Sequence, residues 1–123
     1  ELAPQELMQV CLDVEASLGR VRQAGWTPRP LDLDLLLWER HQFDLPVSGC
    51  APAVTIPHPR MSDRAFVLIP LSHLVPHWRV PQRAHLSEPT IAELAASVSC
   101  NGIRLDRPVH LDIPDSVRQT RHV

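Results

Sequence analysis

The most informative stretch of this chain is WTPRPLDLDLLLW, residues 26–38, in which two aspartates alternate with leucines after an arginine flanked by prolines. In an extended strand, side chains two residues apart share a face, so Asp32 and Asp34 are expected to point the same way. Their Cα atoms would lie roughly 6.6 Å apart, at about 3.3 Å per residue. Carboxylates this close repel each other unless a cation lies between them, and carboxylate oxygens suit Mg²⁺. The stretch therefore predicts a strand over residues 30–38 that carries paired magnesium ligands.

The same alternation also has a simpler interpretation, which this stretch alone leaves open. A half-buried strand normally alternates apolar residues that face the core with polar residues that face water. On that interpretation, Asp32 and Asp34 are solvated side chains that bind nothing. Other motifs of the chain are needed to choose between a magnesium site and a solvated strand face.

The composition is that of one modest globular domain: 123 residues, 44% hydrophobic, with a formal net charge of −2. This charge balance argues against a general nucleic-acid or anionic-membrane surface, and there is no apolar run long enough to span a bilayer and no secretory signal pattern. Cys11, Cys50 and Cys100 are odd in number and widely spaced, which predicts reduced thiols, a cytoplasmic location and no metal–thiolate site. The chain starts at Glu1 rather than methionine, and we expect it to be amino-terminally incomplete.

The clearest helical periodicity covers residues 3–18. Pro4 is tolerated in a first turn, and Gly19 follows the last periodic residue as a helix stop. Glu15 lies beside the apolar stripe, either as a solvated charge or as a neighbour of the site. The predicted stripe consists of Leu7, Val10, Cys11, Val14 and Leu18.

Two further helices are predicted, over residues 62–75 and 89–97. The first of them has an apolar stripe of Phe66, Ile69 or Pro70, and His73 to Leu74, with a bend or restart at Pro70.

Shorter elements connect the helices. Residues 39–53 are polar and broken by two prolines and a glycine, which leaves room for one short edge strand. Val54 to Ile56 is expected to pair briefly before the Pro-His-Pro turn. We expect residues 1–97 to form one domain and leave residues 98–123 unassigned.

The basic residues suggest a phosphate ligand. All 12 are arginine, for which genomic base composition is the simpler cause, although the planar guanidinium fork also suits phosphate bidentately. Arg20 and Arg22 follow the first helix, Arg29 precedes Asp32 by three residues, and His58 and Arg64 lie in IPHPRMSDR, residues 56–64. Singly, such residues are usually surface charges. Together with paired metal ligands they indicate phosphoryl transfer, which depends mostly on positioning and on neutralising charge. A glycine-rich Walker-type loop is absent, which disfavours a P-loop fold.

The order of these motifs resembles the 6-hydroxymethyl-7,8-dihydropterin pyrophosphokinases of folate biosynthesis. The matching text is GRVR at 19–22, WTPRPLDLDLL at 26–36 and IPHPRMSDRAFVLIPL at 56–71. The resemblance covers about residues 2–95. It implies an α+β fold with a ferredoxin-like antiparallel sheet and helices, of which this chain holds only the carboxyl-terminal part. It also implies Mg²⁺-dependent transfer of pyrophosphate from ATP to the hydroxymethyl group of the pterin, leaving AMP.

The resemblance further implies roles for individual residues. Asp32 and Asp34 would hold two Mg²⁺ ions, and with Arg20 and Arg29, which stabilise phosphate, they would form the catalytic set. The residues expected to bind ATP are Arg22, Leu35, His58 and Arg64. The residues expected to contact the pterin are Trp26 and Phe66. The expected partners are ATP and the pterin substrate. Other folate-pathway enzymes or domains are further candidate partners.

Two hypotheses from other classes stay open at this point. The chain is alternatively a catalytically silent remnant that binds a nucleotide or a protein partner. A general Asp-x-Asp transferase that uses Mg²⁺ and a sugar nucleotide also fits the aspartates, but it does not explain the Pro-His-Pro-Arg-Met block.

Overall fold

The structure, a computed structural model, describes residues 2–18, 31–82 and 87–108. In chain order these contain α1 (Pro4–Ser17), β1 (Phe43–Leu45), β2 (Val54–Ile56), a 3₁₀ turn (Met61–Asp63), α2 (Ala65–Leu74) and α3 (Ile91–Ser97). Helices together with an antiparallel strand pair place the described residues in the α+β class, as predicted. The helices predicted over 3–18 and 89–97 are confirmed.

Helix α1 turns a different face to the protein than the predicted stripe. Val10, Val14 and Leu18, three members of that stripe, are exposed at 45%, 41% and 58%. The buried residue of the helix is instead Glu15. The helix is tied to the loop between β1 and β2 because Gln5 Nε2 donates hydrogen bonds to two proline carbonyls of that loop, at 3.1 and 2.8 Å. Leu7 and Cys11, the other two members of the stripe, are half-buried, so the prediction is wrong at Val10, Val14 and Leu18 only.

The strands β1 and β2 form an antiparallel hairpin in which Phe43 lies opposite Ile56 and Leu45 opposite Val54. The predicted pairing of residues 54–56 and the predicted short edge strand are both confirmed. The connecting loop is closed by two backbone hydrogen bonds between Ser48 and Ala51, at 3.1 and 2.9 Å. Gly49, inside this turn, has a φ of +58°, a left-handed conformation that glycine adopts without steric cost.

Residues 31–38, here called the acidic segment, have no regular secondary structure and do not form the predicted strand. No strand of the described residues pairs with them in a ladder. A backbone hydrogen bond of 2.9 Å, from His58 N to Leu36 O, links the segment to the turn after β2. The predicted alternation is nevertheless present, because the three leucines of residues 31–35 are half-buried and the two aspartates are exposed. This alternation does not require a ladder, which needs a partner strand.

The main core lies between α2, α3 and the loops that flank them. Its buried members are Met61, Leu68, Val80 and Ile91, and Leu36 and Leu37 of the acidic segment pack against it. Burial of such side chains is the main stabilising contribution available to a domain of this size.

Helix α2 differs from the prediction in its start, its continuity and its buried face. The break falls at Arg64, between the 3₁₀ turn and the helix, and α2 continues through Pro70 without a restart. Phe66 and Leu74 of the predicted stripe are exposed at 65% and 77%. The buried face is centred on Leu68 because α3 packs on that side.

No helix of the described residues is long and apolar enough to cross a membrane.

Replacing Leu68 by alanine is expected to lower the free energy of unfolding by about 2–5 kcal/mol, because the change leaves a cavity in the core. Chemical denaturation measures this loss. The matched control is Leu74→Ala on the same helix, whose side chain is 77% exposed, and its effect is expected to stay within about 0.5 kcal/mol. Equal losses in the two variants would contradict the assigned core face.

The start of α3 should respond to acid. Thr90 N donates a hydrogen bond of 2.7 Å to Glu93 Oε2, and Glu93 N donates one of 3.2 Å to the Thr90 hydroxyl. The backbone hydrogen bond from Thr90 and then its side-chain hydrogen bond lower the pKa of Glu93 below its ordinary value of 4.5. Desolvation opposes them, and the charge of Arg79 adds a still smaller lowering of this pKa. A group whose pKa is lower in the folded protein than in the unfolded protein stabilises the fold at any pH above its unfolded-state pKa. This stabilisation is lost as the pH falls through its folded-state pKa.

Stability measured by denaturation as a function of pH should therefore drop more steeply below about pH 4.5 in the wild type than in Glu93→Gln, which cannot titrate. Parallel pH profiles for the two proteins would show that the carboxylate does not support the helix start.

Candidate functional site

The centre of the candidate site is the carboxylate of Asp34, which lies between two basic side chains. Its Oδ2 atom is 3.8 Å from His58 Nε2 and 3.8 Å from Arg64 Nη1. These distances exceed those of hydrogen bonds, so the contacts are electrostatic. The Asp34 side chain is 42% exposed, against 20% for His58 and 25% for Arg64. The acidic group is thus the most accessible of the three, and a ligand can approach it from solvent.

The turn after β2 positions both basic residues. The carbonyl of His58 accepts a hydrogen bond from Met61 N at 3.1 Å, and the carbonyl of Met61 accepts one from Arg64 N at 3.2 Å. The Met61 side chain is 1% exposed and belongs to the core. The methionine of the Pro-His-Pro-Arg-Met block therefore anchors the turn, and His58 and Arg64 are held at its two ends.

The hydrogen bonding of His58 determines which of its ring nitrogens carries the proton when the ring is neutral. Arg60 N donates a hydrogen bond of 3.2 Å to His58 Nδ1, so Nδ1 is the acceptor. The proton of the neutral ring then lies on Nε2, the nitrogen that faces Asp34. The site therefore presents an N–H donor next to the carboxylate, suited to an oxygen of an anionic ligand.

The donor set of the site fits a magnesium ion that is shared with a substrate. Asp32, two residues before Asp34, is also exposed. Across residues 2–18, 31–82 and 87–108, no cluster of three or more histidine, cysteine, aspartate or glutamate side chains is positioned to hold a metal. Mg²⁺ is commonly held by one or two carboxylates, with water and substrate phosphates as the remaining ligands. Two neighbouring carboxylates match that pattern, and they do not match a closed structural zinc site.

Arg64 also contacts an aromatic ring. Its Cζ atom lies 5.8 Å from the centroid of Phe66, within the range of a cation–π interaction. The Phe66 side chain is 65% exposed. An exposed aromatic ring beside the charged cluster is available for stacking with a planar ligand.

A cleft of about 370 Å³ lies between the acidic segment and α2. This volume falls within the range of small-molecule sites, and such sites are mostly apolar with a few polar groups. The cleft follows that pattern, because most of its wall is apolar and Asp34 supplies a carboxylate. The wall includes Asp34, Leu35, Trp38, Leu71 and Trp78.

A larger opening of about 700 Å³ lies elsewhere, between α1 and the hairpin loop. Met8, Leu12 and Cys50 are part of its wall, and none of its described wall residues is a predicted site residue. Volume alone therefore does not identify the site, and we place the site where the charged groups converge.

The structure reveals one residue of the site whose role the sequence left open. Glu15 is 1% exposed, and its Oε1 atom accepts a hydrogen bond of 2.8 Å from Leu33 N in the acidic segment. Of the two interpretations of Glu15, the structure supports a neighbour of the site over a solvated charge. A signal was present in the sequence, because position 15 shares a helix face with Met8 and Leu12, whose side chains are half-buried.

The structure brings five of the ten predicted site residues into one region. Asp34 meets His58 and Arg64 directly. Leu35 lines the cleft with Asp34, and Phe66 contacts Arg64. Asp32 is exposed two residues before Asp34. The other four, which all fall in residues 19–30, lie outside the described residues: Arg20, Arg22, Trp26 and Arg29.

Comparison with known proteins gives a consistent result. Residues 1–76 match the family described as 7,8-dihydro-6-hydroxymethylpterin-pyrophosphokinase. This range contains both motifs that meet at Asp34.

Individual relatives carry similar names. A 2-amino-4-hydroxy-6-hydroxymethyldihydropteridine pyrophosphokinase of Synechocystis is 39% identical over 102 residues, which are 83% of this chain and 47% of the relative. The Pseudomonas aeruginosa protein of the same name is 44% identical over 87 residues, 71% of this chain and 50% of the relative. A folate synthesis bifunctional protein of Chlamydia trachomatis is 33% identical over 97 residues, 78% of this chain and 21% of the relative. The chain thus spans about half the length of the first two relatives.

Proposed function

The chain belongs to the 7,8-dihydro-6-hydroxymethylpterin-pyrophosphokinase family, and on that premise we propose that it serves the Mg²⁺-dependent transfer of pyrophosphate from ATP to 6-hydroxymethyl-7,8-dihydropterin. The observation that carries this proposal is the position of the Asp34 carboxylate, 3.8 Å from both His58 and Arg64. These residues come from two separate motifs, and together they form an acidic and basic cluster suited to a metal-bound phosphate. The described residues correspond to the nucleotide and metal part of the proposed site.

The two aspartates are the proposed metal ligands. Asp32 and Asp34 would hold Mg²⁺, and we propose two ions, as the family resemblance implies. Bound Mg²⁺ supplies positive charge that offsets the negative charge of the phosphates. The exposure of both carboxylates supports this assignment.

The proposed ATP-binding residues are Arg22, Leu35, His58 and Arg64. His58 offers its Nε2 proton, and the Arg64 guanidinium offers a planar pair of donors that suits phosphate oxygens. Leu35 lines the apolar cleft beside Asp34, which supports a contact between its backbone and the adenine ring. Phe66 would stack on the pterin with Trp26 closing over it, and the exposure of the Phe66 ring supports this role.

In the proposed reaction, the hydroxymethyl oxygen of the pterin attacks the β-phosphorus of ATP. A bond forms between this oxygen and the β-phosphorus, the bond from the β-phosphorus to the oxygen that bridges it to the α-phosphorus breaks, and AMP leaves. The hydroxyl proton is released to solvent. Arg20 and Arg29 would stabilise the charge that develops on the phosphate oxygens. No covalent enzyme intermediate is needed.

Several broader features are part of the same proposal. We propose that the whole protein has a ferredoxin-like sheet and that the domain in this chain ends at residue 97. We assign no role to residues 98–123. The relative named a folate synthesis bifunctional protein supports other folate-pathway enzymes or domains as partners. Cys11, Cys50 and Cys100 are free thiols, which supports the proposed cytoplasmic location.

Isothermal calorimetry of the chain with a non-hydrolysable ATP analogue should give binding that requires Mg²⁺. Binding should require the metal because the carboxylates repel the triphosphate unless a cation offsets their charge. Equal affinity in EDTA would contradict the metal assignment. Metal-dependent binding without AMP release in the presence of the pterin would favour the catalytically silent alternative.

Asp34→Asn should lower Mg²⁺-dependent AMP release by about 100-fold or more, because metal stabilisation is worth several kcal/mol and each 1.4 kcal/mol is tenfold in rate. Release of AMP from ATP in the presence of the pterin is the measurement. The matched control is Asp13→Asn, an exposed carboxylate on α1 that accepts a hydrogen bond from Gln9 and should leave the rate unchanged. Wild-type turnover in Asp34→Asn would overturn the proposed site.

A further inference from the structure

We propose that Glu15 is a positioning residue, whose buried carboxylate fixes the directions of the two aspartates of the acidic segment. This inference rests on the proposed function of the site. Glu15 lies on α1, and the residues between the end of this helix and the acidic segment separate the two in sequence.

The burial of Glu15 is the first observation. Its side chain is 1% exposed, whereas Val10 and Val14 on the same helix are both more than 40% exposed. Burial of a carboxylate costs free energy unless the group is hydrogen-bonded. Glu15 is the one buried residue of α1, so its hydrogen bond is needed to offset the cost of its burial.

The location of its hydrogen bond is the second observation. Glu15 Oε1 accepts a hydrogen bond of 2.8 Å from the backbone N of Leu33, the residue between Asp32 and Asp34. A peptide unit is planar, so fixing Leu33 N fixes the plane that joins Asp32 to Leu33. The same bond constrains the backbone on both sides of Leu33, and hence the directions of both aspartate side chains.

A second attachment makes this constraint effective. Leu36 O, three residues farther along, accepts the hydrogen bond from His58 N. The acidic segment is thus held at Leu33 by α1 and at Leu36 by the turn that carries His58. Asp34 lies between the two attachments. Loss of the first attachment would free the backbone of both aspartates and leave the contact of Leu36 in place.

Two uncharged variants of similar length separate this role from general packing. In Glu15→Gln the amide oxygen of the new side chain can still accept the Leu33 hydrogen bond, whereas the side chain in Glu15→Met fills the space without a comparable acceptor. The probe is Mn²⁺, which replaces Mg²⁺ and whose binding to the full chain is measured by electron paramagnetic resonance in the presence of a non-hydrolysable ATP analogue. AMP release is measured in parallel.

The expected result is a 10–100-fold weaker Mn²⁺ affinity in Glu15→Met, the usual effect of removing a group that orients metal ligands. Glu15→Gln should stay within about threefold of the wild type, with the Leu33 amide still protected from hydrogen exchange. Wild-type Mn²⁺ affinity in Glu15→Met would overturn the inference, and so would equal losses in both variants. If Glu15→Met does not fold, Glu15→Gln decides, because retained affinity with a protected Leu33 amide supports the inference and a tenfold loss overturns it.

Asp34→Asn separates a failure of this inference from a failure of the proposed function. If Asp34→Asn loses Mn²⁺ binding while Glu15→Met keeps it, only the positioning role is wrong. If Asp34→Asn keeps both Mn²⁺ binding and AMP release, the proposed metal site itself is wrong.

Discussion

The backbone hydrogen bond from His58 N to Leu36 O is the interaction on which the candidate site depends. It joins the acidic segment to the turn after β2, and these two parts carry the charged groups of Asp34, His58 and Arg64. Without it, the acidic segment would lose its direct attachment to the turn that carries His58, and only the Glu15 hydrogen bond at Leu33 and its half-buried leucines would hold it. Apolar packing is not directional, whereas a hydrogen bond of 2.9 Å fixes the register of one backbone against the other.

The hydrophobic core also stabilises this contact. Met61 is buried in the same cluster as Leu68 and Ile91, so the turn that carries His58 and Arg64 is attached to the helices α2 and α3. A rigid attachment matters for the proposed chemistry, because phosphoryl transfer relies on positioned charges. In this arrangement one apolar residue of the motif holds its two polar residues in place.

Local patterns predicted the parts of the fold that depend on neighbours in sequence. The helices over 3–18 and 89–97, the hairpin strand at 54–56 and the alternating burial of residues 31–35 follow from periodicity and turn residues. The predictions that were wrong concern which face of a helix or segment packs against another part of the chain. The stripes of α1 and α2 and the ladder over 30–38 all required knowledge of the packing partner.

The sequence by itself determined the chemistry of this protein: paired carboxylates, guanidinium groups and a proline-bounded histidine in an order that identifies the family. Only the tertiary structure decided that Asp34 meets His58 and Arg64, and that Glu15 is buried against Leu33. The physical reason is that residue type and spacing specify donors, acceptors and periodicity. Which groups approach each other depends on contacts between parts of the chain that are distant in sequence.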